Sequence, residues 1–366
     1  MPVSQKRVTL ADIARKAGCH VTTVSLALRD CPRLPEATRK RIKALAKKMS
    51  YRPDPLMSAL VAYRKGVMAK RNTPTLAYVT NWATRWGWKE TTAHPDFYIG
   101  AQAKAQEIGY KLEHFWLGEP KMTQKRLGEI LYSRGINGVL LGSHGRERGD
   151  VLDFDWEKFS AVKIDYFPHR PSLHSVTNNQ CDIVRLAMRK VIARGYRRIG
   201  LVMHRGWDYT VDHLWMAGYL CEQQVLRPRE RIPAHLYPKP EPMNAWLAEG
   251  ACELLVEGRS FAQWFEKYRP EVILSKSSFV LPVMKRLGLR VPSDVALVDL
   301  FLECADGATA GVEQNHKTVG AVAVEILAGQ LQHGKYGVPA NPKTTYVGGT
   351  WHEGASCPVK SCAEGG

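Results

Sequence analysis

Apolar positions recur along the first fifty residues at helical spacing, in three short bursts. Thr9 precedes LADIARKAG, where Ile13, Ala14 and Ala17 fall on one narrow stripe. Thr is a good N-cap, and Asp12 three residues later suits both the capping box and the helix dipole. Gly18 stops this helix, because glycine tolerates the left-handed conformation of a helix end. Val24, Ala27 and Leu28 repeat the stripe and predict a second helix over about 21–28. Ile42, Leu45, Ala46 and Met49 mark a third, with Pro35 expected at its first position. Two short helices joined by a tight Gly-containing turn make a helix-turn-helix, and the third closes a core that none could build alone.

From Thr75 onward the rhythm changes. TLAYVT (75–80), KLEHFWL (111–117), GVLLG (138–142), AVKID (161–165), EVILS (271–275) and VALVDL (295–300) are strand-length apolar runs. Helical patterns lie between them, near 97–108, over QKRLGEILYSR, and over AVAVEILAGQL (321–331). RLAMRKVIARGYRRIGLVM reads as helix, turn and strand. Strands alternating with helices imply parallel sheets covered on both faces. A stretch of about 275 residues favours two such halves.

Charge separates these regions. Residues 1–72 hold 17 Lys and Arg against 4 Asp and Glu, a net of +13 out of the chain's +17. The remaining body is nearly neutral at +4. A small cationic unit on a neutral body is the electrostatic footprint of nucleic-acid binding; the bland alternative is a solvated basic face. The helical spacing also leaves Val21, Thr22, Ser25 and Leu26 on the outward side of the second helix. That helix enters the major groove in a helix-turn-helix, where Thr can donate or accept and Val or Leu can pack on a thymine methyl. Thr23, Ser25 and Thr38 suit phosphate oxygens. The competing reading has Val21 and Leu26 packing on another part of the protein.

Other classes find little support. The eight cysteines are scattered except Cys357 and Cys362, with no second pair to complete a zinc site, so free thiols and no metal are expected. No apolar run approaches the length of a membrane span, and MPVSQKRVTLADIARKAG has no apolar secretory core. A cytoplasmic protein with no membrane partner is therefore expected. G-x-S-x-G is absent, GSHGRERG (142–149) is not a phosphate loop, and His352-Glu353 lacks the second His of a zinc helix. Neither enzyme activity nor a cofactor is expected.

VTLADIARKAGCHVTTVSLAL and TRKRIKALAKKMSYRPDP resemble the headpiece of the lactose-repressor/galactose-repressor family of bacterial transcription regulators. The resemblance implies that Val21, Thr22 and Leu26 read bases. Thr9, His20, Thr23, Ser25, Arg29, Thr38 and Tyr51 occupy positions it assigns to the DNA backbone. His20 stands where the family has a Ser that caps the recognition helix, Leu26 where a long polar residue is common, and Pro35 where another Ser is usual. The family's hinge helix would fall on LMSALVAYRKG, with Leu60 as the wedge in the minor groove. The alternative there is a plain linker helix docked on the body.

GYKL (109–112), INGVLLG (136–142), ARGYRRIGLV (193–202), MAGY (216–219) and GVEQNHKTVGAVAVEIL (311–327) are similar, in order, to that family's effector domain. The implied fold is an all-α helix-turn-helix headpiece plus an α/β, two-lobed, periplasmic-binding-protein-like body. The implied boundaries are 1–51 for the headpiece, 52–73 for hinge and linker, 74–352 for the effector and dimerisation domain, and 353–366 for a tail. Lobe 1 is expected at about 74–177 and 316–343, lobe 2 at about 178–315 and 344–352. The matched effector positions are Asn81, Phe97, Asp165, Trp215, Lys276 and Phe301. Trp215 has an alternative as packing between lobes. Sugar-binding members use an Arg, an Asn-Asp pair and an Asp where this chain has Trp215, the stretch Lys276-Ser277-Ser278 and Phe301. The implied protein is a homodimeric regulator, a repressor by resemblance, that binds a palindromic operator on double-stranded DNA and senses a sugar or sugar derivative. The alternative is a receptor of the same body fold whose DNA binding is activating or independent of the effector. Replacing Leu60 by Ala is expected to reduce operator bending, measured by circular-permutation gel shift, while leaving the dimer intact; unchanged bending removes the wedge.

Overall fold

A computed structural model describes residues 8–28, 34–49, 51, 73–145, 149, 151–166, 170–237 and 258–360. Arg29 and Leu60 lie outside them. The chain divides into two compact units, Met1–Pro74 and Thr75–Gly366.

Among its described residues the first unit has three helices: α1 (Leu10–Ala17), α2 (Val21–Leu28) and α3 (Glu36–Lys48). Ile13, Ala14, Val24, Ala27, Ile42 and Ala46 form its core, with Leu28, Leu45, Met49 and Tyr51 packed against them. Ala17, expected on the buried stripe, is only half-buried. Thr9 and Asp12 close a reciprocal capping box on α1, and Gly18 ends that helix at φ 65°. Pro35 is the residue before α3 rather than its first member, since ψ 141° is extended.

The second unit has two six-stranded sheets. The first runs in the order β2 (Lys111–Trp116), β1 (Thr75–Asn81), β3 (Gly138–His144), β4 (Ser160–Ile164), β5 (His174–Asn178), β11 (Thr344–Val347), all parallel. The second repeats that order as β7 (His235–Tyr237), β6 (Ile199–His204), β8 (Val272–Ser275), β9 (Ala296–Asp299), β10 (Ala310–Glu313), β12 (Thr350–His352). Here β12 alone pairs antiparallel. The crossover helices are α4 (His94–Glu107), α5 (Gln124–Ser133), α6 (Gln180–Ala193), α7 (Arg205–Thr210), α8 (Leu214–Gln223), α9 (Gly258–Tyr268), α10 (Ser277–Arg286) and α11 (His316–Gln332). The architecture is thus a helix-turn-helix followed by a two-sheet α/β body.

The chain passes between the sheets three times: β5 to α6, β10 to α11, and β11 to β12. Side-chain amides tie these crossings together. Asn178 Nδ2 donates to the Gln314 carbonyl. Gln180 Nε2 donates to Gln314 Oε1 at 3.0 Å, and Asn315 Nδ2 to the Gly348 carbonyl at 2.9 Å. Because β11 pairs with β5, residues 344–347 belong to the first lobe, and its second segment extends beyond the expected limit near 343. The supposed tail is also partly structural. Ser356 Oγ donates to the Leu297 carbonyl at 2.7 Å, the Ser356 carbonyl accepts from Leu297 N at 2.9 Å, and Cys357 is buried. Residues 353–360 are therefore an edge of the second lobe.

Helices α4 and α11 cross on two glycines. A Cβ on Gly100 would lie 1.8 Å from the Lys317 carbonyl oxygen, and one on Gly320 would lie 1.9 Å from that of Phe97. Only glycine permits this approach, which brings the first turns of both helices together. Gly320→Ala is expected to destabilise the body by about 1–3 kcal/mol through overpacking. All 10 tryptophans lie after residue 74, so urea unfolding followed by tryptophan fluorescence reads the body alone. An unchanged midpoint would refute the close crossing.

Candidate nucleic-acid interface and ligand cleft

The headpiece turns one side of α2 outward. Val24 and Ala27 are fully buried, while Val21 and Thr22 are exposed and Leu26 is half-buried. The expected base-reading set is therefore on one accessible face. Thr23, Ser25 and Thr38 are half-buried at its margins. His20 precedes α2 and replaces the hydroxyl cap with an imidazole. Thr22 N donates to His20 Nδ1 at 3.3 Å, and Thr22 Oγ1 lies 3.0 Å from the same nitrogen. Thr9 is committed locally: its hydroxyl donates to Asp12 Oδ2 at 2.7 Å and its N–H donates to the same atom at 2.9 Å. As a phosphate donor, Thr9 would first have to release Asp12. Tyr51 packs its side chain on the headpiece core. Exposed Lys16, Lys40, Arg41, Lys47 and Lys48 supply positive charge around this small unit.

In the body, the expected ligand positions gather at the carboxyl ends of parallel strands, where open α/β sheets bind ligands. Asn81 ends β1, Asp165 follows β4, Lys276 follows β8 and Phe301 follows β9. Loops after β1 and first turns of helices complete the first-lobe wall: Trp88, His94 and Phe97, with His316 opening α11. Phe97 meets His94 and His316 edge-on at 5.6 and 5.3 Å between ring centroids. Asp165 sits at φ 75°, a left-handed conformation uncommon outside glycine and enriched for Asp. Lys276 bridges the lobes. Its Nζ donates to Thr92 Oγ1 at 2.6 Å, pairs with Glu303 at 3.2 Å, and lies over the rings of Trp207, Phe279 and Phe301.

Trp215 does not offer a free stacking face. It is buried in the second-lobe core, its indole N–H donates to Gln180 Oε1 at 2.6 Å, and its ring packs on Phe301 at 5.2 Å. Its packing is within the second lobe rather than between the lobes. The partly exposed aromatic is Trp207 on α7, 5.4 Å from Phe301 and 5.0 Å from Phe279. Its signal in the sequence is an aromatic three residues past the end of β6, in HRGWDY.

Burial disfavours charge on the histidines of the first-lobe wall. Burial lowers the His94 imidazole below its ordinary value, with Asp165 opposing weakly. Burial likewise brings His144 to about 4, and His316 to about 4. For His114 burial acts first, then Arg85 and Lys89, again to about 4. Burial raises the Tyr78 phenol, with Asp165 adding to it. Tyr78 Oη, Trp88 Nε1, His94 Nδ1 and His114 Nδ1 are buried without a protein hydrogen-bond partner. Such groups each cost about 1–3 kcal/mol when left unsatisfied. Their neighbourhood is continuous: Tyr78 and Trp88 rings are 6.0 Å apart, Trp88 and His114 5.5 Å. Gly142 makes room for the phenol, since a Cβ there would meet Tyr78 at 2.5 Å. Among the described residues no group of three or more His, Cys, Asp or Glu is arranged to hold a metal ion. No helix among them is long and apolar enough to cross a membrane.

The profile of bacterial regulatory proteins, lacI family, matches residues 9–54. The chain is 26% identical over 217 residues to the HTH-type transcriptional regulator Rv3575c of Mycobacterium tuberculosis, covering 58% of this chain and 56% of that protein. It is 22% identical to the HTH-type transcriptional repressor PurR of Vibrio cholerae, covering 88% and 91%. It is 23% identical to the repressor CytR of Escherichia coli, covering 88% and 90%. Among solved structures, the Lac repressor dimer bound to operator and the anti-inducer ONPF has a TM-score of 0.52 at 16% identity, covering 96% of this chain and all of that one. A lacI-family regulator from Rhizobium etli has a TM-score of 0.58 at 17% identity, covering 78% and 99%. These likenesses establish the fold.

The sheltered histidines set a pH dependence. As pH falls from about 6.5 toward 4, the unfolded chain takes up protons that the folded body refuses. Body stability is therefore expected to fall across that window, by at most about 1.4 kcal/mol per pH unit for each fully sheltered imidazole. His316→Gln is expected to flatten the urea midpoint against pH by one histidine's share; an unchanged slope would place His316 in water.

Proposed function

We infer that the chain is a member of the lacI family of bacterial regulatory proteins, whose profile matches its residues 9–54, and that it is a sequence-specific transcription repressor controlled by a small molecule. The observation that carries the reading is the face of α2. Val24 and Ala27 hold the helix to its core, and Val21, Thr22 and Leu26 are left on the accessible side of a strongly basic unit. Such a face reads base edges, and the surrounding lysines and arginines hold phosphates. The two-fold symmetry of a homodimer would match a palindromic operator. Relatives named as repressors support the sign of regulation.

The cleft of the body supports an effector of particular chemistry. Lys276 is already paired with Glu303, and burial disfavours charge on the His144 and His316 imidazoles. Among the described residues at these strand ends, the Lys276 ammonium that would attract an anion such as a phosphate ester is already opposed by Glu303. The rings of Trp207, Phe279 and Phe301 beside that paired lysine suit an uncharged polyhydroxylated ring with an apolar face, a sugar or glycoside. Its binding would couple to operator affinity by about 1–3 kcal/mol. The reading assigns the chain no catalytic role.

Selection of bound duplexes from a random library by the purified full chain is expected to return palindromic sites; failure to bind any duplex at modest ionic strength overturns the function. In a thermal-shift screen, uncharged sugars or glycosides are expected to raise the unfolding temperature of the body. Stabilisation by phosphate esters alone would overturn the effector class.

A further inference from the structure

We propose that His20 sets the base preference of Thr22 by fixing the direction of its hydroxyl hydrogen, so that Thr22 reads an exocyclic amino group in the major groove. The proposal rests on the DNA-binding role of α2. It starts from one nitrogen with two neighbours. The backbone N–H of Thr22 points at His20 Nδ1, so that nitrogen must carry the lone pair and the ring hydrogen must sit on Nε2. Thr22 Oγ1 lies 3.0 Å from the same Nδ1. With no hydrogen on Nδ1, the one shared along that line belongs to the hydroxyl. Thr22 O–H therefore donates to His20, and the oxygen keeps only lone pairs for a partner outside the protein.

That choice has a chemical consequence. A free threonine hydroxyl serves donors and acceptors alike. With its hydrogen engaged, Thr22 accepts only. Adenine N6 and cytosine N4 carry hydrogens in the major groove, whereas guanine O6 and N7 and thymine O4 are acceptors that would face a lone pair. The contacted strand is thereby restricted to adenine or cytosine at that position. His20 also remains an N-cap for α2, and its exposed ring keeps Nε2–H as a donor for a phosphate oxygen. A serine cap would leave the Thr22 hydroxyl free to rotate, so the imidazole adds selectivity that an ordinary cap lacks. His20 is a positioning residue in this scheme, because it acts on the base through Thr22.

The test compares full-length proteins in selection from a random duplex library, followed by affinity measurements on the selected site. The wild type is expected to prefer adenine or cytosine over guanine or thymine at one position of each half-site. His20→Ala is expected to relax that preference by about fivefold to tenfold, the low end for a base contact. His20→Asn, whose Oδ1 can accept the same two hydrogens, is expected to retain it. Thr22→Val is expected to lose the same preference, and the double variant to lose no more at that position. Circular dichroism and low-salt binding to random DNA confirm that each variant is folded. A wild type that binds a specific site but prefers guanine or thymine there overturns the proposal. So does His20→Ala with its preference intact, or with affinity lowered equally on every sequence. A wild type that binds no duplex overturns the DNA-binding reading itself, which keeps the two failures apart.

Discussion

The body depends on a small set of side-chain amides where its chain passes between the two sheets. Three crossings in one place expose backbone groups that neither sheet can pair, and a buried polar group without a partner is costly. Asn178, Gln180, Gln314 and Asn315 supply those partners across all three. The same amides reach both walls of the cleft. Gln180 Oε1 accepts from the Trp215 indole, which packs on Phe301; Gln314 Oε1 lies 3.3 Å from His316 Nε2. A group bound between the lobes thus bears on side chains that are one hydrogen bond from the crossings. Occupancy of the cleft would thereby act on the crossings through hydrogen bonds.

Electrostatics divides the molecule along the same lines as function. The headpiece is cationic and exposed, so its charge acts through solvent and weakens with salt. The cleft is built the opposite way. Its histidines are stripped of charge by burial, and its lysine is balanced by Glu303 before any ligand arrives. Long-range attraction therefore belongs to the DNA-binding unit, and short-range geometric recognition to the body.

Much of this was legible in the chain. Apolar runs located the central strands, because strands buried on both faces must be continuously hydrophobic. The strands that the apolar pattern did not mark are short and partly polar: HSVTN, HLY, AGVE, TTYV and TWH. Most lie beside the crossings, where polar residues serve the amide network instead of the core. The start of α11 at His316, five residues before its apolar stripe, has the same cause. In the cleft, position at strand ends was legible, but ring orientation was not. Trp215 and Trp207 differ by which of them turns its N–H inward, and pairing with Gln180, 35 residues away, decides that. In the headpiece, helical spacing alone separated Val24 and Ala27 from Val21 and Thr22. The imidazole cap was visible only as a departure at His20, since its partner atoms depend on backbone geometry.

The order of strands in the sheets carries a further implication. The first sheet receives its last strand from residues 344–347 and the second from residues 350–352, while Ser356 fastens Leu297. The described core of the three-helix unit is drawn from residues 8–51. During synthesis from the N-terminus, the unit that grips nucleic acid can mature while both sensing lobes still lack a border. A growing polypeptide passes through a stage in which the three helices are made and the two lobes still wait for residues 344–356.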